Sequence, residues 1–428
     1  MQAALDKRIK ATGHVNAYFP LFIPEALLQK EAEHVAGFNP EVAWVTAAGT
    51  EDLHERLAIR PTSEAIIGTM YGKWVQSWRD LPILINQWAN VVRWEKRTYP
   101  FLRTTEFLWQ EGHTAHRAED EANEEVLRML EVYRDFAETE LAIPVIPGRK
   151  SEAEKFAGAT ATYTIEALMG DGKALQGGTS HAFGQHFAEA FGISFLDMDG
   201  ERRFAWTTSW GSSTRLVGGL IMVHGDDSGL ILPPRVAPYQ VVIVPIFRKD
   251  EERDAVFGAI QDLTRRLTGV VRFHVDWSEN TPGWKYNQWE MKGVPLRLEV
   301  GPRDVAQSQV MSVRRDTRAK EPIPFDALAE RLPVMMETIQ QALFDRAKAF
   351  REQRTWRVSS VDELAEQIER ERGFFLAPWC GSAACEENIK ARTGATLRCI
   401  PLDGGDEPGS CLVCGNPAPQ TAVFARAY

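Results

Sequence analysis

The stretch RWEKRTYPFLRTTEFLWQEGH, residues 93–113, crowds arginines, glutamates, tryptophans and a histidine into a short span. The segment leading into it, ILINQWANVVRWE (83–95), is β-branched and aromatic enough for a buried strand, whose alternate residues share one face. That period puts Arg93 and Glu95 together. After KRTYPFL, a seven-residue loop carrying a proline, RTTEFLWQEGH (103–113) resumes a two-residue period. Arg103, Phe107, Trp109, Glu111 and His113 then alternate with Leu108, Gln110 and Gly112. Two antiparallel strands joined in this way pool their side chains on one surface. A salt-bridged, half-exposed hairpin is the plain reading. Yet burying polar groups among Trp94, Trp109 and Phe107 costs on the order of several kcal/mol unless each charge is paired or meets a ligand, which favours a ligand-binding cleft.

Outward from the hairpin, 428 residues at about 150 per domain suggest about three domains. With 44% hydrophobic and 25% charged residues the composition is that of an ordinary globular protein. A formal charge of −10 argues against indiscriminate adhesion to nucleic acid, although a local basic surface can still hold a polyanion. The N-terminal segment has no long apolar run, and VVIVPIF (241–247) is too short to span a bilayer, so a cytoplasmic protein is expected. The prolines of LPPRVAP (232–238) mark a break before the β-like YQVVIVPI. From there an amphipathic stretch (251–268), the β-like GVVRFHVD, a Trp- and Gly-rich loop, VPLRLEVG and SQVMSVRR alternate as a compact α/β unit would. A long helical run from Leu328 leads into a cysteine-bearing tail. The expected domains are therefore 1–234, 235–330 and 331–428.

All five cysteines follow residue 379. Cys380, Cys385, Cys411 and Cys414 read C-x4-C, a gap, then C-x2-C, two close thiolate pairs of the kind that assemble a tetrahedral zinc site. Cys399 falls outside both pairs. Disulfides are the competing account, which a cytosolic chain with an odd cysteine disfavours. Four sulfur ligands leave no open position, so such a zinc is structural.

VVRWE, a loop and FLRTTEFLWQEGH resemble motif 2 of the class II aminoacyl-tRNA synthetases, in the form shown by prolyl-tRNA synthetases of the archaeal/eukaryotic type. NAYFPLFIP (16–24) is similar to the end of motif 1 and RPTSE (60–64) to the proline-binding loop. LQGGTSH (175–181) is similar to the strand beneath the substrates and TTSWGSSTRLVGGLIMVHGDD (207–227) to motif 3. The resemblance covers essentially the whole chain. It implies an antiparallel α+β catalytic core, an α/β anticodon-binding domain and a small zinc-binding C-terminal domain. It also implies ATP-dependent activation of L-proline to the adenylate, with Mg²⁺, transfer to tRNA(Pro), and a homodimer.

Phosphoryl transfer is catalysed chiefly by positioning and charge neutralisation, and guanidinium forks suit phosphate geometry. By resemblance Arg93 sits between the proline carboxylate and the α-phosphate, Arg103 reaches the outer phosphates, and Arg215 holds the opposite end of the bent ATP. Glu95 and Thr104 lie toward the adenine, and Gln176, Thr179 and Ser213 complete the ATP set. A secondary ammonium offers two N–H donors, which Glu64 and Thr62 accept by resemblance. Phe107, Trp109, Glu111, His113, Phe156 and His181 match the family's proline pocket. Each has a plainer role open to it: Thr62 and Glu64 as the cap and charged first turn of a helix, His181 and Phe156 as core, Arg215 as a surface cation.

The segment GWKYNQWEMKGVPLRLEVGPRDV (283–305) offers aromatics with Lys285, Glu299, Arg303 and Asp304, a set able to read the paired guanines of a proline anticodon along their edges. Its plain alternative is a surface ion pair of Glu299 with Arg303. Two departures from the family stand out. The chain opens inside the motif 1 resemblance, so the preceding segment is expected to be missing. About sixty residues separate the hairpin from LQGGTSH, too few for an inserted editing domain. Two other functions remain: a synthetase-like regulatory protein, which the surviving arginines disfavour, and a threonyl or seryl enzyme. A threonyl enzyme's active-site zinc would need cysteine before residue 380.

Overall fold

The computed structural model describes residues 1–34, 42–405 and 408–428, and the chain forms two compact units. The larger comprises residues 2–136, 145–219 and 354–428; the smaller, residues 137–144 and 220–353 with Met1.

The larger unit is built on eleven strands: β1 Val15–Asn16, β2 Ile83–Val92, β3 Glu106–His116, β4 Val145–Arg149, β5 Ala161–Leu168, β6 Ala174–Gly184, β7 Trp206–Ser213, β8 Thr355–Arg357, β9 Phe374–Trp379, β10 Thr396–Pro401 and β11 Gln420–Ala425. They form one sheet in the order β1-β2-β3-β7-β6-β5-β4-β10-β11-β9-β8. Only the outermost pairs, β1 with β2 and β8 with β9, run parallel. On the hairpin β2–β3, Gln87 stands opposite Glu111 and Ile85 opposite His113. The reverse face is covered by the helix Glu119–Asp135, which buries Ala122, Val126, Met129, Leu130 and Tyr133. Tyr133 donates to Gln110 at 2.7 Å and lies edge-on to Trp210. Gly112 is required there, since a Cβ would overlap the Trp210 ring. With even-numbered β3 residues turned to this helix, Trp109, Glu111 and His113 face the other way.

The hairpin differs from expectation in its loop. Strand β2 stops at Val92 and β3 starts at Glu106, so Arg93, Glu95 and Arg103 lie in a thirteen-residue connection rather than on strands. Tyr99 and Arg103 exchange backbone hydrogen bonds of 2.7 and 2.9 Å around Pro100 and the positive-φ Phe101, closing a small turn inside it.

In the smaller unit five strands run in the order Phe273–Val275, Val241–Pro245, Leu296–Val300, Gln309–Arg314, Lys320–Pro324, the first three mutually parallel. Val241–Pro245 is buried throughout, as an uninterrupted apolar run in the middle of a sheet should be. One sequence reading needs correction here. The Trp- and Gly-rich segment is a helix, Pro282–Met291, with proline in its first turn and Lys285 and Trp289, one turn apart, buried. The long helix Leu328–Gln353 packs Leu332, Met336, Ile339 and Leu343 into this unit's core with Leu296 and Leu298. The compact units divide after residue 353, and residues 354–428 group with the larger sheet.

Candidate functional site

A cavity of about 970 Å³, counting its open mouth, lies over the exposed-facing side of β3, β6 and β7. Thr62, Glu64, Arg93, Phe107, Trp109, Glu111, His113, Phe156, Gln176, Thr179, His181, Ser213 and Arg215 all line it. Sequence segments as far apart as those of Thr62 and Arg215 thus converge, because odd positions of β3 and the matching positions of β6 and β7 share a face.

One end is small and carboxylate-bearing. Glu64 opens the helix Glu64–Trp74, and the Thr62 hydroxyl donates to its carboxylate. Both are buried, and the residue before the helix, Ser63, turns its hydroxyl to Glu111 rather than capping. Glu111 also accepts from Gln87 at 2.7 Å and pairs with His113 at 3.0 Å. Burial pushes the Glu111 carboxyl up, but His113, Ser63 and Gln87 outweigh it and hold Glu111 below the usual carboxylate range. Burial likewise pushes His113 down, and Glu111, with Glu64 behind it, carries it above the ordinary imidazole value. This pair is therefore carboxylate and imidazolium. His181 is the opposite case: burial, with a smaller push from His113, lowers it to about 3, and the neutral ring bonds Thr162 at 3.0 Å against Phe156.

Cations occupy the other end. The Arg93 guanidinium lies over the Phe107 and Trp109 rings at 5.6 and 5.5 Å and donates from Nε to the Pro61 carbonyl. Arg215 donates from Nε to the Leu102 carbonyl, and its backbone N–H meets the Ser213 hydroxyl. Burial, then the like charges of Arg103 and Arg93, disfavour the charged form of Arg215. Such crowding is relieved by an anion entering between them. Arg103, Glu95 and Thr104 are not in the cavity wall; Arg103 stands 3.9 Å from Glu95, and Thr104 bonds the Glu106 carbonyl.

Sequence reasoning missed Lys150, Glu154, Thr162 and Ser209, which also line the cavity. Thr162 was recoverable only through its register opposite His181, and Lys150 carries no periodic signal at all.

Within the cysteine-bearing segment the sulfurs of Cys380, Cys385, Cys411 and Cys414 all lie within 4.8 Å of one another, and all are free thiols. Cys380 stands 3.7 Å from Cys385 and 3.8 Å from Cys414. A metal–sulfur bond of about 2.3 Å in a tetrahedron sets edges of about 3.8 Å, so the cluster fits a tetrahedral ion. Cys399 is buried elsewhere, against Gly148.

In the smaller unit the four residues singled out for RNA differ in availability. Lys285 is buried and donates to the Asp276 carbonyl, and Glu299 is buried and bonded to Arg297 at 3.0 Å. Glu299 is thus held by its strand neighbour, and the alternative ion pair with Arg303 is not formed. Asp304 accepts from the Gly301 N–H at the start of a short helix, and Arg303 is exposed.

Residues 44–224 match the class II tRNA synthetase core domain of the glycyl, histidyl, prolyl, seryl and threonyl enzymes, 240–334 the anticodon binding domain, and 361–428 the C-terminal domain of prolyl-tRNA synthetase. The proline–tRNA ligases of Natranaerobius thermophilus and Symbiobacterium thermophilum are each 58% identical, over all of this chain and 89% of theirs. The crystal structure of prolyl-tRNA synthetase from Cryptosporidium parvum, complexed with halofuginone and AMPPNP, superposes with a TM-score of 0.95 at 43% identity, covering all of this chain and 88% of that one. With the arginine-rimmed cavity and the relatives matched over the whole chain in agreement, the chain belongs to the prolyl-tRNA synthetases.

Proposed function

We propose that the chain activates L-proline with ATP and transfers it to the 3′ end of tRNA(Pro), and that the cavity over β3, β6 and β7 is where both steps occur. The observation that carries the reading is the polarity of this one cavity: a buried carboxylate–hydroxyl pair, Glu64 with Thr62, at one end, and Arg93 and Arg215 at the other. Proline's secondary ammonium has two donors. Glu64 accepts one, and Thr62, whose own proton is given to Glu64, has lone pairs free for the second. The pyrrolidine ring sits among Phe107, Trp109, Phe156 and neutral His181, with the Glu111–His113 pair fixing the floor. Arg93 then bridges the proline carboxylate and the α-phosphate, neutralising charge as the carboxylate oxygen attacks and pyrophosphate leaves. Gln176, Thr179, Ser213 and Arg215 hold the nucleotide. Glu95, Arg103 and Thr104, outside the wall, reach it when the connection between β2 and β3 folds over the outer phosphates and adenine. Mg²⁺ enters with ATP and shares the triphosphate charge.

The four clustered cysteines hold a structural Zn²⁺, supported by their sulfur spacing and the want of an open position. The smaller unit reads the anticodon with Arg303 at its surface and Asp304 beside it, while Lys285 and Glu299 brace the fold from within. The enzyme works in the cytoplasm as a homodimer through the motif 1 region; among the described residues no helix is long and apolar enough to cross a membrane. ATP–pyrophosphate exchange across all twenty amino acids tests the reading. Exchange driven by proline is expected; exchange driven by serine or threonine with proline silent would sink it.

A further inference from the structure

Beside the cavity lies a buried charge cluster that the reading above does not use. Glu166 on β5 is fully buried, and each of its oxygens is saturated. Oε1 accepts from the Lys150 ammonium at 3.0 Å and the Thr164 hydroxyl at 3.1 Å. Oε2 accepts from Nε of Arg398 at 3.0 Å, with the second Arg398 nitrogen also at 3.0 Å. Lys150 and Arg398 are themselves only 3% and 10% exposed at the side chain. Two cations thus share one carboxylate, with the buried Glu386 the next acid that Lys150 feels, and Lys150 stands where an anion in the cavity can reach it.

Its position says which anion. Thr162, Thr164 and Glu166 on β5 stand opposite His181, Thr179 and Gln176 on β6, so the cluster continues the row of side chains assigned to the nucleotide. Lys150 itself lines the cavity, and the charges of Glu166 and Arg398 are both felt at Arg215. Arg398 arrives from far along the chain: it lies on β10, which pairs with β4 through Ile400 and Arg149. The cysteine-bearing segment therefore contributes a side chain behind the cavity wall, bonded to Glu166, as well as extending the sheet.

We propose that Arg398 is a positioning residue for ATP, acting through Glu166 to hold Lys150 and the Gln176–Thr179 wall against the nucleotide. The inference rests on the proposed reaction, and its test separates the two. In Arg398→Gln, Glu166 keeps Lys150 and Thr164 but loses its charged fork; in Arg398→Lys the charge remains and the fork is lost. Pyrophosphate exchange should show the KM for ATP raised threefold or more in Arg398→Gln while the KM for proline moves less than twofold, with Arg398→Lys in between and bound metal unchanged. An ATP KM raised less than threefold, or a proline KM raised equally, overturns the proposal, because a merely structural role weakens both substrates alike. If Arg398→Gln does not fold, Arg398→Lys carries the same comparison with a twofold threshold on ATP. Calorimetric titration of ATP into parent and variant needs no turnover. It therefore still decides the role of Arg398 if the parent proves inactive with proline, an outcome that would refute the proposed reaction instead.

Discussion

Replacing Glu111 by glutamine removes the charged partner of His113 while leaving its size and two of its hydrogen-bonding atoms in place. In the parent, the Glu111 carboxylate 3.0 Å from His113 holds the imidazolium above its ordinary value despite burial. A group with a raised folded value stabilises the fold fully below the unfolded value of about 6.5 and loses that contribution as pH rises through the folded value. Without Glu111 burial dominates and the folded value of His113 falls below the unfolded one. The sign then reverses: the variant loses stability as pH falls below about 6.5, at roughly 1.4 kcal/mol per unit once the unfolded chain binds a proton that the folded chain refuses. Between pH 8 and 5.5 that amounts to about 1.4 kcal/mol, added to a pH-independent loss of roughly 1–3 kcal/mol for the disrupted buried bonds to Ser63 and Gln87. Thermal unfolding of parent and variant at the two pH values is the assay, and a gap wider by at least about 1.5–2.5 °C at pH 5.5 is expected. Subtracting the two proteins cancels every group they share. A gap equal at both pH values, or wider at pH 8, would refute the charge assignment of this pair.

Arg93→Ala should lower proline-dependent exchange by about a hundredfold or more, the typical loss for a contact to developing charge, whereas a loss under tenfold would remove Arg93 from the reacting phosphate. Elemental analysis should find about one zinc per chain, lost in Cys411→Ser and kept in Cys399→Ser; metal loss in the latter alone would refute the ligand set. Arg303→Ala should raise the KM for proline tRNA and leave pyrophosphate exchange near the parent value. If changing an anticodon guanine costs variant and parent equally, Arg303 does not read the anticodon. Asp304→Ala should in addition cost about 1 kcal/mol of stability, since its carboxylate holds the Gly301 N–H in the manner of a helix cap.

What was legible in the sequence followed from local rules. The two-residue period placed Trp109, Glu111 and His113 on one face, because β3 is regular through that stretch. The cysteine spacing brought four sulfurs together, because each close pair is fixed by a few bonds of chain. Arg93 and Arg103 broke the period, since a proline and a positive-φ residue end pairing between them. The Lys285 segment was misread because its tryptophans and glycine suggest a loop, while the Pro282 start and the inward Trp289 make a helix. Nothing local announces Lys150, Glu166 and Arg398, whose meeting depends on the pairing of β10 with β4 and on a side-chain bond between residues 232 positions apart. Glu299 reads as a free acceptor for RNA, yet its own strand supplies a cation two residues away, which a period-two pattern puts on the same face.

Strand β11, residues 420–425, is not at the rim of the sheet; it lies between β10 and β9, antiparallel to both. Both neighbours precede it in the chain, so during synthesis each leaves the ribosome with its hydrogen-bonding edge open. At about 5–20 residues per second, the twenty or so residues from β10 to β11 take on the order of seconds to emerge. Throughout that time β10 offers a bare edge to any passing strand. A nascent chain stalled before residue 420 would hold Arg398 near Glu166 only by the two-residue pairing with β4. Stalling or premature termination there should leave an aggregation-prone polypeptide rather than a slightly weakened one, a matter of biosynthetic timing rather than of the finished molecule.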